Sequence, residues 1–302
     1  MSSLPSISEG QAPNMFHKTL GAIWSAMEES NQPSWMGYLD ERTTTKRWED
    51  DVELVDPGLW TEHDDGNDIE LDEYGEGIVV RYRPVSFKKR LAVPIEIEEE
   101  AVYEEITAVV PMLQRTWVQT QNVYAVGLVD DFATSGVTGG DGVVLASASH
   151  PLAGGGTVSN ILSPALLPCN RAIQLMIVAA EKMRGSNGQI AGNKVLKACG
   201  PSNHKHRLKE VLKSEKRDDT ANNAINALKG ELSADPVSIP HMASSTNWFV
   251  KTNAPRGAAW VWLKKATFKS GMEIKNDCRI QTGRAKATVN YSNFRTFIIS
   301  LS

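Results

Sequence analysis

Asp141, Ser147, Ser149 and His150 fall within one short stretch and are the residue types of a hydrolase triad. In such a triad a serine attacks, a histidine takes its proton and a carboxylate orients the imidazole. They lie in residues 139–160, GGDGVVLASASHPLAGGGTVSN, whose glycines also suggest a loop of backbone N–H groups around a phosphate. Neither pattern closes. The serines sit in ASAS rather than in the GxSxG elbow that exposes a nucleophile, and Pro151 pushes His150 towards extended backbone. No Lys-Ser or Lys-Thr follows Gly154-Gly155-Gly156, so no side chain is placed for a terminal phosphate and its magnesium. Gly139-Gly140-Asp141-Gly142 carries hairpin-turn chemistry instead, and His150-Pro151 reads as a structural turn.

The other candidate groups are thinner. His204 and His206 are two positions apart, so on a helix they face different ways, and no third ligand is near them in sequence. Asp64-Asp65-Gly66-Asn67-Asp68 offers oxygens to a divalent ion but lacks the EF-hand order and its closing glutamate. Lys88-Lys89-Arg90 is a basic cluster beside a strand pattern, expected to be a solvated edge or a contact between subunits. Cys169, Cys199 and Cys278 are odd in number and far apart, which fits buried thiols rather than a disulfide frame or a zinc site. The expectation is that the chain has no catalytic, cofactor or metal site and is not an enzyme.

Composition bounds the remaining classes. The 302 residues are 41% apolar and 23% charged, ordinary for a globular protein with a sizeable core. No apolar run reaches the roughly 18 residues of a membrane span. The start, MSSLPSISEGQAPN, lacks the basic and apolar regions of a secretory signal, so synthesis in the cytoplasm is expected. The net charge of −4 hides an asymmetry: residues 1–150 hold 27 acids and 10 bases, residues 151–302 hold 9 acids and 22 bases. Residues 49–76 hold 13 acids and neither lysine nor arginine. An acidic arm and a basic body on one chain suit head-to-tail association of identical copies. Nucleic-acid binding by the basic half competes with this, although its cations are dispersed and carry no recognised binding signature.

The elements that must position these residues are set by periodicity. Residues 16–29 suit a short helix, with Phe16, Leu20, Ile23, Trp24 and Met27 at helical spacing. Trp24, Trp35, Met36, Tyr38 and Trp48 imply that the N-terminal segment docks on a body, its own or another copy's. Residues 52–94 read as a long hairpin with an acidic tip, its second strand running through residues 78–87. The longest helical pattern spans about residues 97–132, with a break expected near Val110 and Pro111 in the first turn of a second helix. A helix is expected over 170–184, a buried strand over 194–199 and a short amphipathic helix over 204–214. Strands are expected at 248–250, 258–263, 266–268, 287–291 and 296–299. The alternation makes a mixed α+β protein.

The stretch GGDGVVLASASHPLAGGGTVSN resembles a signature of tailed-phage major capsid proteins, particularly the Mu-type major head subunit family. A second block matches as well: Leu212-Lys213-Ser214-Glu215, then Thr220-Ala221-Asn222-Asn223-Ala224-Ile225-Asn226-Ala227-Leu228-Lys229-Gly230. A looser third is Asn247-Trp248-Phe249-Val250. The resemblance covers roughly residues 40–302 and implies the Hong Kong 97-like major capsid fold. On that pattern residues 1–50 are an N-arm and 51–95 an E-loop. Residues 96–145 are the first part of a peripheral domain with its long spine helix, 146–262 an axial domain and 263–302 the peripheral domain's C-terminal strands. Two features depart from the pattern: Pro111 near the start of the spine helix, and a FRTFIISLS end without the usual aromatic-glycine close.

The implied function is a shell protein that self-assembles into hexamers and pentamers of an icosahedral head around double-stranded DNA. Its partners would be itself, a portal, a scaffold or decoration protein, and the packaged DNA by non-specific contact, with no membrane. It would reside in the virion capsid, and in host cytoplasm during assembly. Some capsids of this fold cross-link through an E-loop lysine; Lys88 and Lys89 lie in that region, but nothing identifies an acceptor, so no cross-link is expected. The alternatives are a hydrolase using Asp141 and His150, and a nucleic-acid-binding module using the basic C-terminal half.

Overall fold

The computed structural model describes residues 24, 26–60, 62, 71, 75–94, 103–130, 132, 138–216, 224–232, 234–273 and 278–302, with backbone alone at 93–94 and 103–108. The fold is mixed α+β, and strands predominate. Most of the helix expected over 16–29, most of the acidic tip between 61 and 74, the motif residues 220–223 and the acidic helix start at 98–100 lie outside the described residues. Residues 26–30 are helical. Two compact units emerge. The smaller takes residues up to 33, 84–123 and 262–287; the larger takes 34–83, 124–261 and 288–302.

In the larger unit the organising strand is β9 (Trp248–Thr252), every residue of which is buried. It lies between β12 (Phe297–Ser300) and β7 (Val195–Pro201), antiparallel to both, and β8 (Val237–Ile239) pairs parallel to β7. Successive side chains of a strand face opposite ways. Trp248 and Val250 therefore pack with Ile173 and Met176 of α2 (Asn170–Glu181) and Leu208 and Val211 of α3 (Lys205–Lys213). Phe249 packs on the other side against the rings of Tyr38, Phe132 and Phe297, at 6.1, 5.2 and 4.9 Å. Trp35, fully buried, stacks on Trp260 at 4.9 Å, so part of the aromatic N-terminal segment docks on its own chain.

The acidic hairpin is β2 (Glu49–Val55) antiparallel to β3 (Gly75–Tyr82). The strand expected over 78–87 is two strands, however. Pro84 has no N–H for the ladder, and a strand seldom continues through such a residue. Beyond it β4 (Val85–Pro94) pairs with β11 (Cys278–Tyr291) in a sheet ordered β1 (Asp40–Thr43), β10 (Ala258–Glu273), β11, β4. The two strands expected at 258–263 and 266–268 are likewise one, β10. Lys264 and Lys265 between them are exposed, so they interrupt the apolar pattern without ending the strand.

The smaller unit packs β4 and its parts of β10 and β11 against the first part of α1 (Tyr103–Val129). Its core holds Trp24, Val110 and Leu113, with Leu91, Trp117, Ala266 and Phe268 against them. The helix runs unbroken through Pro111, contrary to the break expected at Val110. An interior proline forfeits one backbone hydrogen bond and costs about 3 kcal/mol. Burial of Val110 and Leu113 on either side, at about 1.5–3 kcal/mol each, outweighs it.

Candidate functional site

Residues 139–160 begin with a tight turn. Thr138 bridges Val144, Gly139 N donates to Val143 O at 2.9 Å, and Gly142 sits at φ +74°. Gly140 is needed for a different reason: a Cβ there would lie 2.6 Å from the carbonyl oxygen of Val79, so its absence lets β3 pass. Asp141 ties this turn to the His150 strand. Its Oδ1 accepts from Val143 N at 3.1 Å and its Oδ2 lies 2.6 Å from His150 Nδ1.

The fold thus brings together two of the triad residue types, but not as a triad. His150 is fully buried and its other nitrogen, Nε2, faces the carbonyl oxygen of Leu145 at 3.2 Å. That is where a triad would place the serine hydroxyl. Ser147 Oγ instead accepts from Ser149 N at 3.1 Å. The imidazole also lies flat on Phe294, centroids 3.9 Å apart and planes 5° from parallel. Nor is His150-Pro151 itself a turn. It is a short strand, β5, antiparallel to β6 (Thr157–Val158), and the turn is the glycine run between them, with Gly155 and Gly156 at positive φ.

Asn160 completes the junction. Its Oδ1 accepts from Ser147 N at 3.0 Å and its Nδ2 donates to Leu145 O at 2.6 Å. Ile299 N donates to Asn160 O, and Leu162 N donates back to Ile299 O, so the chain leaving the junction covers the edge of β12. Asn226 plays the matching part in the second motif block. It donates from Nδ2 to Val211 O at 2.7 Å and Ser214 O at 3.0 Å, satisfying carbonyls at the end of α3. Neither amide stands out from sequence alone; the only signal for them is their presence in the SN and INALKG portions of the motifs.

The other candidates separate. His204 Nε2 meets Thr246 O at 3.1 Å and His206 is exposed. Among the described residues no group of three or more His, Cys, Asp or Glu side chains is placed to hold a metal ion, and no helix is long and apolar enough to cross a membrane. The Asp64–Asp68 oxygens lie outside the described residues. All three thiols are free. Cys169 Sγ accepts from Ala172 N at 3.4 Å at the start of α2, and burial pushes the Cys199 thiol up to about 12.

Charge is distributed more finely than the sequence count implies. On β2, Asp50 forms a two-point pair with Arg81, at 2.5 and 2.7 Å, which holds its carboxyl below the usual range. Asp51 pairs with Arg42 at 2.9 Å and Glu53 with the buried Arg295 at 2.8 Å. These acids are neutralised within the subunit. Asp56 and Glu62, farther along, are exposed and have no ion pair among the described residues. On the smaller unit's sheet, register places Lys88 directly opposite Arg284, and neither has a carboxylate in ion-pair range among the described residues. Lys264 and Arg284, with Arg90 and Lys269, line a concavity of about 390 Å³ whose single lining carboxylate is Glu273, 3.6 Å from Arg90.

This architecture, a long helix against the β10, β11 and β4 strands in one unit and a helix-covered sheet in the other, is the Hong Kong 97-like fold of phage capsid proteins. Three solved structures carry the likeness, each 10% identical in sequence to this chain. They are the virus-like particle from Pyrococcus furiosus (TM-score 0.55, covering 94% of this chain and 98% of that one), the procapsid of bacteriophage JBD30 (0.55; 98% and 76%) and Microbacterium phage Oxtober96 (0.56; 89% and 90%). No protein-family model matches the sequence, and no curated protein sequence does.

Proposed function

We propose that this chain is a major capsid subunit that assembles into hexamers and pentamers of an icosahedral shell around double-stranded DNA. The observation that carries the reading, beside the fold, is the segregation of unpaired charge. Among the described residues, Asp56 and Glu62 past β2, and Lys88 and Arg284 facing each other across β4 and β11, have no ion-pair partners within the subunit, and each set is what the other lacks. Copies placed head to tail satisfy both, and many modest contacts sum over a shell. On this reading residues 1–50 serve as the N-arm, 51–95 as the E-loop, 96–145 and 263–302 as the peripheral domain and 146–262 as the axial domain. The motif blocks favour the Mu-type head subunit family within the fold. A portal and a scaffold or decoration protein are the further partners, host cytoplasm the place of assembly and the virion the destination.

Deleting residues 58–72 tests it. The expected product is a folded, soluble subunit that closes no shells, seen by sizing and electron microscopy. Normal particles from the deletion would refute the segment's role, and a wild-type chain that stays a small oligomer under all conditions would refute the shell. The cationic concavity also favours contact with a nucleic-acid backbone. Steeply salt-dependent binding of duplex DNA by the free subunit would assign the face to DNA rather than to a neighbour's acids.

A further inference from the structure

The β4–β11 register sorts the smaller unit's cations by face. Thr282 stands opposite Arg90 and Arg284 opposite Lys88, and alternate residues of a strand share a face. Lys88, Arg90, Thr282 and Arg284 therefore lie on one side of the sheet. Phe87, Leu91 and Gly283 lie on the other, where Leu91 packs with Val110 and Leu113 of α1. Thr267 Oγ1 donates to Arg284 O at 3.3 Å, which sets β10 alongside β11. Lys264 and Lys269 of β10 then join Arg90 and Arg284 around the concavity of about 390 Å³.

The subunit does not cancel the charge of this basin. Glu273 is its one lining carboxylate, 3.6 Å from Arg90, and the two side chains are 39% and 62% exposed, so the pair contributes little. Lys264, Lys269 and Arg284 are exposed and have no ion pair among the described residues. Like charges directly opposite across a ladder repel, and Arg284 faces Lys88. Thr267 and Thr282 add hydroxyls to the lining, and Ser270 adds a buried hydroxyl oxygen with no hydrogen-bond partner. Cations and hydroxyls thus converge on one volume, room for about a dozen waters at roughly 30 Å³ each.

That convergence selects an occupant. Planar guanidinium groups meet phosphate oxygens two at a time, and hydrogen bonds between charged partners are the strong ones. A short phosphate chain gathers several negative charges into a volume of this size. An acidic peptide instead spaces its carboxylates along a strand, with alternate side chains facing away. A duplex carries its phosphates in rows along a rod, and so meets the rim of a basin and not its floor. We infer that the concavity is a binding site for an oligophosphate anion, held by Arg90, Lys264, Lys269 and Arg284. The anion ties β4, β10 and β11 together and relieves the repulsion between Lys88 and Arg284. The inference stands on the charges of one subunit and does not need the shell reading. Arg284 is shared with the contact proposed above, so anion and neighbour compete for it.

The test titrates the full chain with tripolyphosphate in a calorimeter. One anion per subunit is expected, with orthophosphate weaker by about tenfold or more. Arg284→Gln and Lys269→Gln should each weaken tripolyphosphate by about tenfold or more. Lys205→Gln, the same charge change at an exposed position of α3, should not. At about a hundred times its Kd, tripolyphosphate should raise the thermal midpoint of the free subunit by about 5 °C, and sodium chloride of equal ionic strength should not. Arg284→Gln should lose that gain yet fold at least as well without the anion, because it frees Lys88 from a like charge. Equal binding by all three variants, or a gain that sodium chloride reproduces, overturns the inference. So does a short duplex that binds more tightly per phosphate and displaces tripolyphosphate, which would give the face to DNA. Shell formation enters none of these measurements, so a failure of the shell reading is seen separately.

Discussion

Burial decides what the Asp141–His150 pair does. With Asp141 Oδ2 on one ring nitrogen, the Leu145 carbonyl on the other and Phe294 across the face, the imidazole has no surface left for a substrate. It fastens the turn at 139–144 to the 3-10 helix at Phe294–Thr296. Replacing His150 by alanine strands a buried carboxylate and a buried carbonyl and removes the stack, so a loss of about 3–5 kcal/mol is expected. Ser147→Ala removes one acceptor near the surface and should cost less than about 1 kcal/mol. Urea unfolding of the free subunit measures both. An ester-hydrolase activity abolished by either substitution would return the pair to catalysis. The residue types were legible in the sequence and so was their failure to make a nucleophile motif. The Leu145 carbonyl and the Phe294 ring were not, since one is a backbone atom without a pattern and the other arrives from the far end of the chain.

Elements set by local periodicity were readable; those set by a partner were not. The apolar stripe of α1, the spacing of Leu208, Val211 and Leu212 in α3, and the short aromatic and β-branched run of β9 all come from residues within one element. The division at Pro84 depends instead on β11 being available to receive β4, and register is a property of the pair. Pro111 is the converse case, a local signal overruled by packing. Pro111→Ala restores an N–H for the Thr107 carbonyl in a helix whose neighbouring turns are already buried. It should raise the unfolding free energy by about 1–3 kcal/mol, the proline penalty less the entropy that proline removes from the unfolded chain. Denaturant midpoints of the free subunit measure this. An unchanged or lowered midpoint would mean that α1 is bent at Pro111 to fit its sheet, and that the straighter helix fits worse.

Across the whole molecule, net charge and charge pattern make opposite predictions about association, and salt separates them. The net charge of −4 is a weak mutual repulsion between copies, which added salt would relieve. The pattern is an attraction between the acids past β2 and the cations of the β4–β11 face, which added salt would screen. The paired acids Asp50, Asp51 and Glu53 drop out of both, having spent their charge within the subunit. Raising ionic strength from about 0.1 M to about 1 M shortens the screening length from about 10 Å to about 3 Å. If the pattern governs, association should slow by about tenfold or more over that range, because steering of encounter is the most salt-sensitive part of binding. Stopped-flow light scattering across the salt series reads the effect. Assembly that quickens with salt would make like-charge repulsion the governing force and leave the cations of the β4–β11 face without a protein partner.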